Sequence, residues 1–328
     1  MSILVTGSAG HLGEALMRVL RKQGRDPRGI DIKASTFTDH VGSIIDRDFV
    51  RESMAGVDAV LHTATLHKPH VATHTRQDFV DTNITGTMNL LEEALAAGVG
   101  CFIFTSTTSA FGDALRPPPD QPAAWITEQV APIARNIYGA TKTAAEDLCR
   151  LFHRNHGLPC LVLRTSRFFP EPDDDEARRS AFDGVNLKIC ELLYRRVDIA
   201  DVVDAHLLAI ERAPEIGFDR FIISATSPFT PRDLAELRGN AAEVVSRRVP
   251  DYPTVFSDKG WRMLDEIDRV YVNAHARARL GWRPEHDFRR AIRDVGEGLD
   301  YRSDLAREIG SKGYHDTEYP DGIFPVGH

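Results

Sequence analysis

Residues 1–16 read MSILVTGSAGHLGEAL. An apolar run at Ile3–Val5 meets Gly7, and Gly10 and Gly13 follow at three-residue spacing. The next residues carry a helical apolar period that predicts a helix over 11–23. Between a strand and a helix each glycine has its own task. The first permits a tight turn, the second lets the backbone approach a pyrophosphate, and the third lets helix and strand pack closely. The first helical residues, His11 and Leu12, then offer N–H groups and a partial positive charge to phosphate. A second strand, expected at 28–32, carries Asp31, 24 positions after Gly7. That is about the separation at which a carboxylate binds adenosine ribose hydroxyls. The same carboxylate repels a 2′-phosphate and so favours NAD over NADP, with Lys33 as a nearby opposing charge. A flexible loop with an ordinary surface aspartate is the alternative, and the strand–glycines–helix–strand–acid order argues against it.

Outward from this stretch, strand and helix patterns alternate. Strands are expected at 2–6, 59–63, 101–105 and 160–164, with a long helix at 77–97 and another at 140–156 stopped by Gly157. The run at 101–105 is apolar on both faces, as a buried parallel strand is. The expected fold is therefore α/β, a doubly wound Rossmann-type parallel sheet with a smaller, mixed C-terminal substrate lobe. Residues 1–167, with 198–225 returning, are assigned to the NAD-binding domain; 168–197 and 226–328 are assigned to the lobe. FFPEPDDDEARR (168–179) reads as a polar break in which Asp173–Glu176 form a solvated acidic loop. Helices are expected at 202–213, 273–280 and 287–300 and from 231, with a short strand at 221–224.

The 328 residues carry a net charge of −8. That charge argues against nucleic acid or an anionic membrane as the main partner. No apolar run approaches the roughly 18 residues of a membrane span, and no basic-then-apolar leader is seen at the start. The four cysteines (Cys101, Cys149, Cys160, Cys190) are scattered, which reads as reduced thiols in a cytoplasmic protein.

A second constellation lies in YGATK (138–142). Tyr138 and Lys142 are four apart, on one face of a helix. An ammonium beside a phenol favours the phenolate, and a phenol tuned in this way can exchange a proton with a substrate hydroxyl. Upstream, FIFTSTTSAFG (102–112) puts hydroxyls at the C-terminal end of a strand, where open α/β sheets bind ligands. In LHTATLHKPHVATH (61–74), His70 and His74 share a helical face, but no carboxylate falls at a ligand spacing and no metal site is assigned.

Together, VTGSAGHLG (5–13), AVLHTAT (59–65), NITGTMNLLEEA (83–94), FIFTSTTSAFG, YGATK, RVDIADVVDAHLLAIE (196–211) and ARARLGWRP (276–284) resemble the extended short-chain dehydrogenase/reductases, the NAD-dependent epimerase/dehydratase group. The resemblance implies Tyr138 as catalytic acid/base and Lys142 as the residue that binds the nicotinamide ribose and lowers the tyrosine pKa. It implies Thr107 as the catalytic hydroxyl, flanked by Ser106 and Thr108. It places Thr63, Ala64, Thr65, Asn83 and Thr105 along the cofactor, with Ser43 and Ile44 at the adenine, where Ser43 stands in place of the usual aspartate. Asp46 is read as a helix cap. His67, Thr108 and Arg167 are candidate substrate contacts. Trp282 is expected to pack the C-terminal helix against the lobe. A homodimer through the helices at 77–97 and holding Tyr138 is implied by analogy.

Only about thirty residues, 168–197, separate the sixth expected strand from the VDIADV stretch, and the Gly-Asp-Gly turn of sugar-nucleotide enzymes is missing. Arg164, Arg167, Arg178, Arg179, Arg195 and Arg196 are available there for an anion. A short cap favours a small sugar, sugar acid or polyol, acted on by a dehydrogenase or an epimerase; a nucleotide-sugar 4-epimerase with tightly held NAD is the alternative. Dehydration is disfavoured because Thr108 and Ser109, and not Asp-Glu, follow Thr107. A non-catalytic NAD sensor is the reading of another class, and a proton relay is what a sensor does not need.

Overall fold

The computed structural model describes residues 1–173 and 175–313. Its main sheet contains β1 (Ser2–Thr6), β2 (Asp26–Asp31), β3 (His40–Val41), β4 (Ala59–His62), β5 (Cys101–Thr107), β7 (Cys160–Thr165) and β8 (Phe218–Ile223). The spatial order is β3-β2-β1-β4-β5-β7-β8, and every pairing is parallel. Between β5 and β7 lies β6 (Ala124–Ile126), which leaves the main sheet to pair in parallel with β9 (Arg269–Tyr271). Parallel strands require crossovers, and helices supply them on both faces.

Side-chain alternation assigns the two faces. Ile3, Val5, Ala59, Leu61, Ile103, Leu161 and Leu163 pack on one side with the helices His11–Lys22 and Ile199–Ile216. Leu4, Val60, Phe102, Phe104 and Val162 pack on the other with the helices Gly86–Ala96 and Ile137–His156. Burial on both faces explains why these strands read as continuous apolar runs. A separate apolar cluster, including Leu187, Leu193, Val244, Phe256 and Phe288, forms the core of the smaller lobe.

The order of strand addition reverses between β1 and β4: β2 and β3 add on one side, and β5, β7 and β8 on the other. The loops after β1 and β4 therefore diverge and open a crevice at the C-terminal strand ends, where such sheets bind ligands.

Several expectations are corrected. The helix expected at 77–97 is three pieces: Arg76–Val80, a π-turn at Asp81–Thr85, and Gly86–Ala96. The apolar period runs through the π-turn, so pattern alone does not reveal it. Asp173 is not solvated: it is buried and pairs with Arg167 at 3.1 Å and Arg195 at 2.6 Å. Asp175 caps a helix at Glu176–Ala181 by accepting from the Arg178 N–H. Trp282 packs against the cofactor-sheet core, not the lobe, and its Nε1 donates to the Asp201 carbonyl at 2.9 Å. The helix expected from 231 is two 3₁₀ turns, Pro231–Asp233 and Glu236–Arg238. The helix expected to reach 300 ends at Gly296. Helices at Gly184–Glu191, Ala241–Arg248, Tyr252–Lys259 and Asp304–Ile309 carried no clear pattern. Asp46 caps as expected, accepting from the N–H groups of Asp48 and Phe49. No helix among the described residues is long and apolar enough to cross a membrane.

Candidate active site

The glycine loop is built as its spacing predicts. Gly7 has φ +72°, a left-handed conformation that favours glycine, and a Cβ there would meet the Ala64 nitrogen at 2.8 Å. A Cβ at Gly13 would sit 1.9 Å from the Gly7 carbonyl oxygen, so helix and loop touch backbone to backbone. Gly10 precedes the helix and supplies no side-chain cap to its first turn. The N–H groups at His11 and Leu12 thus begin a twelve-residue helix with no side chain capping them, the arrangement that suits a phosphate. Asp31 ends β2 and accepts from the Ala9 N–H at 3.0 Å and the Lys33 N–H at 2.9 Å. These bonds hold its carboxylate against the same loop.

The β4 side of the crevice is stapled to β1. The Thr6 hydroxyl oxygen accepts from the N–H groups of Thr63 and Ala64, and Thr63 Oγ1 donates to the Thr6 carbonyl at 2.6 Å. His62 is buried between Thr6 Oγ1 (2.8 Å) and Thr87 Oγ1 (3.0 Å). Thr87 spends its proton on the Asn83 carbonyl, so His62 donates from Nε2 and accepts at Nδ1. Burial, with the Lys142 charge nearby, holds that imidazole neutral, its pKa well below the ordinary value. Asn83 lies on the π-turn. Its Oδ1 accepts from the Leu66 N–H, and its Nδ2 donates to the Leu66 carbonyl and to Thr141 Oγ1, while Thr65 Oγ1 lies 3.0 Å away. One amide therefore ties the β4 loop to the helix that carries Tyr138 and Lys142.

On that helix, Ile137–His156, Asn136 caps the start by accepting from the Gly139 N–H. Thr107, at the end of β5, is the side chain that acts on the Tyr138 phenol, drawing its pKa down against burial. Thr107 Oγ1 also accepts from the Ser109 N–H at 3.0 Å. Lys142 is buried, with Nζ donating to the Thr105 carbonyl at 2.6 Å and lying 4.0 Å from the Phe104 ring centroid. Thr105 Oγ1 sits 2.8 Å from His206 Nε2, and burial pushes His206 down to about 4.

The electrostatics differ from expectation in one respect. Burial pushes the Tyr138 phenol up to about 12, and the Thr107 hydrogen bond only partly offsets it. Burial also pushes Lys142 down to about 7, opposed by Glu146. Tyr138 and Lys142 are both buried on this helix, and the tyrosine is raised, not lowered, because desolvation outweighs the one opposing contribution, from Thr107.

Other candidates fall into place individually. Ser106 points away, donating to Glu146 at 2.6 Å, and Thr108 is buried behind the strand end. Ile44 is buried against Gly86, and Ser43 Oγ accepts from the Ile45 N–H. The His67 ring stacks on Phe169 at 5.6 Å, and the His67 backbone N–H donates to His70 Nδ1. Among the described residues no group of three His, Cys, Asp or Glu could hold a metal. Most of the arginines read as available are spent internally. Arg164 is buried in a two-pronged pair with Glu146, Arg195 and Arg196 pair with Glu191, and Arg167 pairs with Asp173. Arg178 donates to Tyr194 Oη and Arg179 to the Asp173 carbonyl.

Sequence reasoning missed Glu146 and Glu171. Glu146 lies one turn beyond Lys142, and the Lys-x-x-x-Glu spacing was a signal available for it. Glu171 carried none. Its Oε1 takes His11 Nε2 at 2.8 Å, Ser311 Oγ at 2.9 Å and the N–H groups of Lys312 and Gly313. These bonds hold the carboxylate down at about 2 and strap residues 311–313 over the start of the cofactor helix. The tail beyond Gly313 lies outside the described residues.

Residues 3–219 match the model of the NAD dependent epimerase/dehydratase family. The chain belongs to this family and is an NAD-dependent enzyme of the extended short-chain dehydrogenase/reductase type. Among relatives, it is 27% identical to a UDP-glucose 4-epimerase from Streptomyces lividans, covering 90% of this chain and 94% of that protein. It is 28% identical to a dTDP-glucose 4,6-dehydratase from Streptomyces antibioticus, covering 89% and 90%. A solved short-chain dehydrogenase/reductase superfamily protein from Agrobacterium tumefaciens, with bound NAD, shares the fold with a TM-score of 0.64 at 24% identity, over 94% of this chain and 97% of that one.

Proposed function

We propose that this enzyme acts on a secondary hydroxyl of a carbohydrate-type substrate, with Tyr138 exchanging the hydroxyl proton and Thr107 hydrogen-bonding the same oxygen. The observation that supports this reading is that two of these groups converge on the end of β5: Thr107 acts on the Tyr138 phenol, and Lys142 Nζ donates to the Thr105 carbonyl. NAD, when bound, supplies the hydride acceptor for the carbon that bears the hydroxyl. Gly7, Gly10, His11, Leu12 and Gly13 would hold its phosphates, Asp31 its adenosine ribose, Thr63, Ala64 and Thr65 its middle, and Lys142 its second ribose. To take the hydroxyl proton Tyr138 would first have to give up its own to solvent and act as the phenolate; the neutral phenol is the form that returns a proton in the reverse direction. Negative charge developing on it would favour the ammonium form of Lys142 in return.

A small sugar or sugar acid suits the short segment at 168–197, where Arg195 pairs with Asp173 and Glu191 and Arg196 pairs with Glu191. The second reading, a nucleotide-sugar 4-epimerase, is supported by the full-length likeness to the S. lividans UDP-glucose 4-epimerase. The division into a cofactor domain and a substrate lobe belongs to the same proposal. So does a homodimer through the helices Gly86–Ala96 and Ile137–His156, where Met88 and Leu151 remain exposed.

NADH formation with a panel of sugars and sugar acids, run beside UDP-glucose/UDP-galactose interconversion, tests the readings. Net NADH with a small sugar or sugar acid, falling about 10²- to 10⁴-fold in Tyr138→Phe, is expected. Interconversion without net NADH would select the second reading. Turnover that survives Tyr138→Phe would refute both.

A further inference from the structure

Gly10 leaves the first turn of the helix His11–Lys22 without a side-chain cap. Such a turn frays unless groups outside the helix hold it. Glu171 supplies the hold. It lies in the loop after β7, between Pro170 and Pro172, and is buried. Its Oε1 accepts from Nε2 of His11, the first residue of the helix, at 2.8 Å. The same oxygen accepts from Ser311 Oγ at 2.9 Å, the Lys312 N–H at 3.0 Å and the Gly313 N–H at 3.1 Å. Lys312 Nζ reaches on to Glu14. His11 and Glu14 are three apart and share a face of the helix, so residues 311–313 are tied along its first turn. Four donors on one oxygen also offset a negative charge held beside the phosphate-binding turn.

The strap starts from a fixed point and is itself lightly held. Leu305, Ala306 and Ile309, on the helix Asp304–Ile309, pack in the same core as Leu12 and Leu16. Ser303 caps that helix and donates from Oγ to Asp198 at 2.6 Å. Gly310, at φ +61°, turns the chain, and residues 311–313 then lie exposed. Ser, Lys and Gly bring no apolar side chain, so polar bonds to Glu171 and Glu14 are what tie them down. Phe169, two residues before Glu171, sets its ring edge-on to His11 at 5.2 Å and stacks on His67, in the loop after β4, at 5.6 Å. The Glu171 loop thus joins three segments: the start of the cofactor helix, the β4 loop and the strap.

We propose that Glu171 is a positioning residue for the cofactor, latching residues 311–313 across the first turn of the helix so that the N–H groups meant for the diphosphate are set before NAD arrives. A turn ordered in advance spares binding the cost of ordering it. The linkage is reciprocal: bound NAD holds the latch shut by the same factor by which the latch tightens NAD. The inference rests on the placement of NAD at the glycine loop and not on the reaction at Tyr138.

Two measurements on the full chain test it. The first is NADH binding by fluorescence titration, with dissociation followed by stopped flow. Glu171→Gln keeps the side-chain length and removes the charge. Gly313→Pro leaves the core untouched, removes one N–H donor and forbids the φ of +70° found there. Each variant should weaken NADH about fivefold or more, chiefly through faster dissociation, and Gly313→Pro should melt as wild type does without cofactor. The second measurement is cleavage by trypsin after Lys312. Residues 313–328 contain no Lys or Arg, so this cut releases a single peptide that mass spectrometry can follow. Saturating NAD should slow it about fivefold or more relative to the cut after exposed Arg154, near the far end of the Tyr138 helix. Glu171→Gln should lose most of that selective protection, an effect that a merely structural carboxylate would not produce. Wild-type NADH affinity in both variants, or equal protection at Lys312 and Arg154, would overturn the latch while leaving the cradle standing. Undiminished NADH binding by Gly13→Ala would instead refute the cradle, and the latch with it.

Discussion

Lys142→Met should abolish turnover and yet make the apoprotein more stable at neutral pH. Lys142 is only 2% exposed, and burial lowers its pKa from 10.5 to about 7. That lowering corresponds to roughly 4–5 kcal/mol of disfavour for carrying the charge into the fold. Two losses oppose the gain from removing it. The Thr105 carbonyl, 2.6 Å from Nζ, is orphaned at a cost of about 1–3 kcal/mol. The ammonium over the Phe104 ring is forfeited, about 0.5–2 kcal/mol. The balance is a net gain of roughly 1–2 kcal/mol at pH 7. Between about pH 7 and 10.5 the unfolded lysine holds a proton that the folded one has released, so wild-type stability rises with pH through this window. The Met variant lacks that slope, up to about 1.4 kcal/mol per pH unit. Its advantage should therefore shrink and reverse before pH 9. Urea denaturation of both proteins at pH 7, 8 and 9.5, followed by tryptophan fluorescence, reads the difference directly, since other titrating groups cancel. A difference that stays flat across this range would mean that Lys142 is not held against its preferred charge state, and the account of the site's electrostatics would fail.

The Tyr138 phenol, pushed up to about 12, should stay neutral in the apoprotein through pH 10. An ultraviolet titration of wild type minus Tyr138→Phe should show no tyrosinate step below that pH, and a step below pH 9 would contradict the burial argument. Gly13→Ala puts a methyl 1.9 Å from the Gly7 carbonyl oxygen. Overpacking of this kind costs about 1–3 kcal/mol, so a lowered melting temperature and loss of NAD binding in calorimetry are expected; wild-type affinity would count against the cradle. Arg164→Met leaves the buried Glu146 with Ser106 and the more distant Arg220, at 3.5 Å. Stranding that carboxylate should cost about 3–5 kcal/mol in urea denaturation, and a loss below about 1 kcal/mol would show that the pair is not the anchor the geometry describes.

What was legible in the chain was local. Gly7, Gly10 and Gly13 each answer to a steric demand within a few residues or across one strand neighbour, so spacing was enough to place them. Tyr138 and Lys142 share a helical turn, and four-residue spacing was enough for that as well. The π-turn at Asp81–Thr85 was hidden because one extra backbone residue does not disturb an apolar period over so short a window. Asp173 looked solvated because its neighbours in sequence are acidic, while one of the arginines that bury it, Arg195, lies 22 residues away. Glu171 gathers His11 from 160 positions before it and Ser311 from 140 after it, so no window of sequence contains the strap. Lys142 and Tyr138 mark the boundary between the two kinds of knowledge. Their adjacency is a property of helix geometry, but the direction of each pKa is a sum over everything packed around them. Phe104, Glu146 and the buried end of β5 enter that sum only once the chain has folded. A motif can therefore name the groups that will exchange a proton, and only the tertiary environment says which of them holds it.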